Sequence, residues 1–202
     1  MKSKVLISML ALFAVAGMSQ AAGDADAGQA KAQVCFSCHG VNGNSANPIW
    51  PKLAGQHAGY LAKQLADFKA GDQRNNALMM GQVMSLSPQD MADLAAFFAR
   101  QKPSPGSADE ARVSMGEKLY RGGNKATGVS ACIACHGPTG AGNPAARYPL
   151  LSGQHAAYTV QTLKDFRAGV RKNDPGKMMQ NIAARMTDAE IEAVSSYMQG
   201  LH

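Results

Sequence analysis

The four cysteines of the chain fall in two short runs, Cys35-Phe-Ser-Cys38-His39-Gly40 and Cys132-Ile-Ala-Cys135-His136-Gly137. A two-residue gap lets both sulfurs of a run reach one edge of a porphyrin and add to its vinyl groups, while the adjacent histidine is carried over the ring face to ligate the iron. The spacing therefore predicts two covalently bound haem c groups, one anchored by Cys35 and Cys38, the other by Cys132 and Cys135. His39 and His136 are the predicted axial ligands. Three other uses of the cysteines fit less well. A thioredoxin-like pair needs a βαβ setting, which the chain lacks. A structural zinc site brings its cysteine pairs closer in sequence than the 97 positions that separate these runs. A disulfide within each run explains neither histidine.

What such an iron does depends on its sixth position: a second strong ligand closes it to substrates, and a thioether favours the ferrous state. Among 12 methionines, most are leader or core residues by default. Only the segment between the last two helices of each half lies where it can fold over the opposite face of the ring. It offers Met79, Met80 and Met84 in the first half and Met178 and Met179 in the second. Met79 stands seven residues before Leu86, and Met179 stands seven before Met186, which matches Leu86. Met79 and Met179 are accordingly the predicted sixth ligands, and Met80, Met84, Met178 and Met186 are read as packing residues.

The elements that must position these groups come in two copies. Leu53-Ala-Gly-Gln-His57 returns as Leu151-Ser-Gly-Gln-His155, and Asp67-Phe-Lys-Ala-Gly71 returns as Asp165-Phe-Arg-Ala-Gly169. Order and spacing are kept, so the chain is a tandem duplication. Leu61, Leu65 and Phe68 fall on one face of a helix that Gly71 can end, as Gly169 can in the second copy. Ser87-Pro-Gln-Asp90 and Thr187-Asp-Ala-Glu190 are capping boxes before apolar stripes of helical period. No strand-like alternation is present, so each copy is predicted to be a small all-α domain with a core too thin to stand without a large apolar cofactor. The prolines and glycine of Gln101-Lys-Pro-Ser-Pro-Gly-Ser107 mark a linker.

Lys2 and Lys4, the apolar run Val5 to Ala16 and Ser19-Gln20-Ala21 have the order of a secretory leader. The expected division is a signal peptide over 1–21, an N-terminal domain over 22–101, a linker over 102–108 and a C-terminal domain over 109–202, with the mature protein exported to the periplasm. The net charge of +6 invites a nucleic-acid reading, but the basic residues are scattered and aromatics are scarce, so no nucleic acid is expected. Residues 22–101 carry six acids and six bases, whereas 103–202 carry eight acids and eleven bases. The imbalance predicts that partners distinguish the two halves.

Ala-Gly-Asp-Ala at the expected mature start, the two Cys-x-x-Cys-His-Gly runs, Pro-Lys-Leu-Ala-Gly-Gln-His and the C-terminal Ser-Ser-Tyr-Met-Gln-Gly-Leu-His resemble the cytochrome c4 family of dihaem class I c-type cytochromes. The resemblance spans essentially the whole mature chain. It implies two tandem class I cytochrome c folds with haems facing a common interface, and an electron carrier rather than an enzyme. The implied partners are redox proteins, namely a membrane terminal oxidase and an upstream quinol-oxidising complex, with peripheral membrane association open. A dihaem peroxidase or the haem subunit of a periplasmic dehydrogenase are the alternatives. The resemblance also implies that the Pro51 and Pro149 carbonyls hold the proximal histidines. His57 and His155 are read as surface or capping residues. Arg74, Arg171 and Lys172 are read either as partners of haem propionates or as solvated charge.

Overall fold

Each local signal of helix start and stop is realised in the backbone. The computed structural model describes residues 23–201, so the expected leader lies outside the described residues. Asp24 caps helix α1 (Ala25–Lys31) by accepting from the N–H groups of Asp26 and Ala27, and α2 (Gln33–His39) follows across Ala32 to end on the first cysteine run. Helix α3 (Ala58–Ala70) stops at Gly71, whose φ of 74° is a conformation only glycine adopts without cost. Helix α4 (Ala77–Val83) starts where Asn76 accepts from the Met79 N–H, and α5 (Pro88–Ala99) starts on the Ser87/Asp90 capping box with Pro88 at its first position.

The second copy repeats the plan. Helices α6 (Glu110–Gly122), α7 (Ile133–His136), α8 (Ala156–Arg167), α9 (Met178–Ala183) and α10 (Asp188–Gly200) follow, with a 3₁₀ turn at Pro175–Lys177 and the Thr187/Glu190 box before α10. Among the described residues no β-sheet forms and no helix is long and apolar enough to cross a membrane.

In each copy the first helix crosses the last, α1 over α5 and α6 over α10. Glycines at the crossings, Gly28 and Gly116, let the backbones touch: Gly28 faces the Asp93 carbonyl and Gly116 the Ala193 carbonyl. Around these crossings lie two separate cores. One gathers Leu61, Leu94, Phe97 and Phe98, and the other Leu119, Tyr120, Leu163, Ile191 and Val194. Each such buried side chain is worth about 1.5–3 kcal/mol. Between the crossing glycine and the first cysteine the copies differ, because Gly116 follows Gly28 by 88 positions and Cys132 follows Cys35 by 97. The additional segment forms a loop tied down by the Arg185 guanidinium on the Gly128 carbonyl (2.9 Å) and by Asn124 on Glu190 (2.7 Å).

The connection between the copies is an extended strap held from both sides. Asn44 accepts from the Ser104 N–H (2.7 Å), Lys52 donates to the Ser104 carbonyl (3.1 Å), and Gln199 donates to the Ser107 carbonyl (2.8 Å). Among the described residues only Arg147 and Lys177 combine a side chain with positive φ, 57° and 56°, a left-handed backbone that costs about 1–2 kcal/mol per residue.

Candidate haem sites

The end of α2 delivers Cys35, Cys38 and His39 together, and α7 does the same for Cys132, Cys135 and His136. Cys35, Cys38 and Cys132 are half-buried and Cys135 is exposed, and all four are free thiols. Burial pushes the Cys132 thiol up to about 11 and raises that of Cys35. Among the described residues no three His, Cys, Asp or Glu side chains converge to hold a metal ion. Zinc is thereby disfavoured, and addition of the sulfurs to a porphyrin edge suits the arrangement.

Both histidines are buried and aimed. His39 Nδ1 lies 2.8 Å from the Pro51 carbonyl, and His136 Nδ1 lies 3.1 Å from that of Pro149. A carbonyl accepts only, so Nδ1 carries the proton and Nε2 presents its lone pair, the tautomer an iron requires. Burial lowers the pKa of both rings, which keeps them neutral. Neither Nε2 has a protein partner among the described residues. The proline contacts implied by the resemblance are thus present in both copies.

The methionines separate by environment. Val83 and Ala183 close α4 and α9 as buried residues 100 positions apart, so Met79 and Met179 occupy one place in the two copies and both are half-buried. Met80, half-buried, lies over Gly71, and Met186 is buried in the C-terminal core. Met84 and Met178, expected to be packed, are instead exposed, at 57% and 38%. Met84 follows α4 at its C-cap and Met178 opens α9, with the Tyr148 hydroxyl 3.8 Å from the Met178 sulfur.

Between the sites runs an interface with approximate two-fold symmetry. The Gln56 amide donates to the Leu150 carbonyl (3.0 Å) and accepts from the Leu150 N–H (2.9 Å); Gln154 does the same with Lys52 (2.9 Å each). His57 Nε2 reaches the Ala141 carbonyl at 2.8 Å and His155 Nε2 the Ser45 carbonyl at 2.9 Å. These histidines stand at the N-caps of α3 and α8 but make no capping bond with their side chains. Their expected surface or capping role is corrected: they join the domains. Arg74 and Arg171 are likewise not solvated, at 9% and 7% exposure. Arg74 donates to Tyr158 (2.9 Å) and Arg171 to Tyr60 (3.0 Å), each across the interface, and both donate to the Gln64 carbonyl oxygen. Phe68 and Phe166 rings lie beneath the two guanidiniums. Burial would raise the Tyr158 phenol, but the charges of Arg74 and Arg171 outweigh it and its pKa falls. Lys172 alone of the three is exposed. Gln56, Tyr60 and their repeats were visible in both copies of the sequence, the one signal that could have marked this interface.

A family model for cytochrome c matches residues 25–102 and again 114–202. A cytochrome c4 of Azotobacter vinelandii is 51% identical over 99% of this chain and 100% of its own length. The chain belongs to the cytochrome c4 family. The crystal structure of reduced cytochrome c4 from Pseudomonas stutzeri superposes with a TM-score of 0.87 at 52% identity, covering 90% of this chain and all of that one. A more distant relative, a thiosulfate dehydrogenase electron acceptor of Thiomonas intermedia, is 39% identical over 93% of this chain and 85% of its own. Membership makes this a two-domain, all-α dihaem electron carrier with two covalent haem c groups.

Proposed function

We propose that this cytochrome c4 is exported to the periplasm by a leader over 1–21 and passes electrons from an upstream quinol-oxidising complex towards a terminal oxidase, catalysing no reaction of its own. Cys35, Cys38, Cys132 and Cys135 would anchor the haems, and His39, His136, Met79 and Met179 would ligate their irons. The observation that carries this reading is the equivalence of the two sites: each has a buried histidine held at Nδ1 by a proline carbonyl, with a half-buried methionine at the matching place. Bound haem supplies the Fe(III)/Fe(II) couple. The protein fixes each imidazole through the Pro51 and Pro149 carbonyls, and a methionine ligand would deny a substrate the sixth position. Arg74 and Arg171, buried cations without a carboxylate partner among the described residues, would meet the propionates.

The test is ligation. Ferric protein is expected to show the His/Met charge-transfer band at about 700 nm, and Met79→Ala or Met179→Ala to remove about half of it each and open one iron to carbon monoxide. Full retention in Met179→Ala with loss in Met178→Ala would move the ligand by one residue. Attachment has its own check in intact-mass spectrometry. Replacing both Cys35 and Cys38 by serine, or both Cys132 and Cys135, is expected to leave one covalent haem, and a variant that kept two would remove that pair from the reading.

The Thiomonas intermedia relative supports a second reading of the donor, in which a periplasmic dehydrogenase rather than a quinol-oxidising complex feeds electrons in. Reduction of both haems by quinol-oxidising membranes without added dehydrogenase would exclude it.

A further inference from the structure

The two left-handed side-chain positions share more than their backbone. Both are cations, both lie in the second copy, and each stands two residues before a group that frames the haem: Arg147 before Pro149, which holds His136, and Lys177 before Met179. The Tyr148 hydroxyl and the Met178 sulfur, the next residue along from each, meet at 3.8 Å and so bring the two loops together.

Neither cation is spent within the molecule. Every other arginine has a hydrogen-bond or ion-pair partner for its guanidinium, whereas among the described residues the Arg147 guanidinium has none; the Lys177 ammonium has none either, as holds for Lys102, Lys118, Lys125 and Lys172, and the Arg147 and Lys177 side chains are exposed. The loops that carry them are braced. Asn143 and Tyr148 exchange both backbone hydrogen bonds (3.0 and 2.9 Å), and Asp174 holds Gln180 through its N–H and its amide (3.0 and 2.7 Å). A strained backbone persists only where its surroundings impose it, and it concentrates at working surfaces. The first copy shows what the duplication began with or moved to: Ile49 and Ala77 stand at the matching places, beside Leu78, with Ile49 and Leu78 exposed at 63% and 71%.

We propose that Arg147 and Lys177 form a docking site for an acidic face of a redox-partner protein, so that the C-terminal domain receives a partner the N-terminal domain does not. The inference rests on the carrier reading. On docking, one electron crosses and one iron changes between Fe(II) and Fe(III), with no bond made or broken. Unpaired charges at a rim steer encounter and set orientation, and their effect fades as salt shortens the screening length.

The experiment maps anion docking without electron transfer. Potassium hexacyanochromate(III), a redox-inert paramagnetic trianion, is added at low salt to reduced, ¹⁵N-labelled holoprotein, and the broadening of each amide resonance is measured. Amides of residues 145–148 and 176–179 are expected to broaden about three-fold more than those of 47–50 and 76–79. Arg147→Asn with Lys177→Asn, a pair that tolerates left-handed backbone, should abolish the difference, and Ile49→Arg should raise broadening at 47–50. Even broadening across both domains, or a preference that survives the double substitution, overturns the proposal. So does sedimentation with phosphatidylglycerol vesicles at physiological salt that depends on both residues, which would assign the patch to a membrane. The carrier reading fails separately, if either haem does not titrate reversibly with one electron.

Discussion

Gly28→Ala and Gly116→Ala are each expected to destabilise their own domain by about 3 kcal/mol, the upper end of what overpacking costs. Helix propensity argues the other way, since alanine in a helix interior is better than glycine by about 1 kcal/mol. Contact decides the sign. A methyl at Gly28 would enter the Asp93 carbonyl and come within 2.9 Å of the Phe97 Cβ, and one at Gly116 would enter the Ala193 carbonyl and reach 2.6 Å from the Tyr197 Cβ. Both obstacles are backbone or Cβ atoms on α5 or α10, so no side chain can rotate away and the helices must separate. Separation would unseat Phe97 and Phe98 in one domain, or Tyr197 and Val194 in the other. In thermal unfolding the affected domain should melt roughly 12 °C or more below its neighbour, producing two transitions. A shift under about 4 °C would mean that the crossing is loose and the glycines incidental.

What the sequence disclosed was what is local in the chain. A cysteine pair and its histidine lie within five residues, and the Ser87/Asp90 and Thr187/Glu190 boxes within four, so spacing alone picked them out, and both boxes form in the backbone. The interface was hidden because its partners are remote: His57 and Ala141 are 84 positions apart, Gln56 and Leu150 are 94. Repetition flagged these residues without saying whether each serves its own copy or the other. His57 and His155 were misplaced for that reason. Arg74 and Arg171 stayed open between propionate partners and solvated charge because a cation is rarely buried without a carboxylate, and tyrosine, glutamine and phenylalanine partners leave no such signature. Met84 and Met178 erred in the opposite direction, since hydrophobic type predicts burial only on average. The glycine crossing escaped notice because the cysteine runs set an offset of 97, while Gly28 and Gly116 obey one of 88.

Gln64→Leu is expected to loosen the interface while leaving each domain folded. The Gln64 carbonyl oxygen accepts from Arg74, from Arg171 at 3.0 Å and from Asn173 at 2.8 Å, and its counterpart in the second copy is Thr162. One acceptor therefore serves two like charges, and the approximate symmetry of the interface is broken at its centre. Leucine has nearly the same length but removes that oxygen, taking one acceptor from each of three donors where water has little access, although Asn173 keeps its bond to Asp67. Each lost bond to a buried charged donor costs about 1.5–3 kcal/mol. Tyr60 and Tyr158 keep one bond to each arginine, so the total should be about 3 kcal/mol rather than the sum over all three donors. Tyr158→Phe, which removes one bond and leaves Gln64 in place, should cost about half as much. Amide exchange reads the effect where it matters: the Lys52 and Leu150 N–H groups, bonded across the interface to Gln154 and Gln56, should exchange faster by about 100-fold, while the Leu61 and Ile191 amides inside α3 and α10 should not change. Equal acceleration at all four would show a general loss of stability. No acceleration at Lys52 and Leu150 would show that Gln64 holds nothing the interface needs.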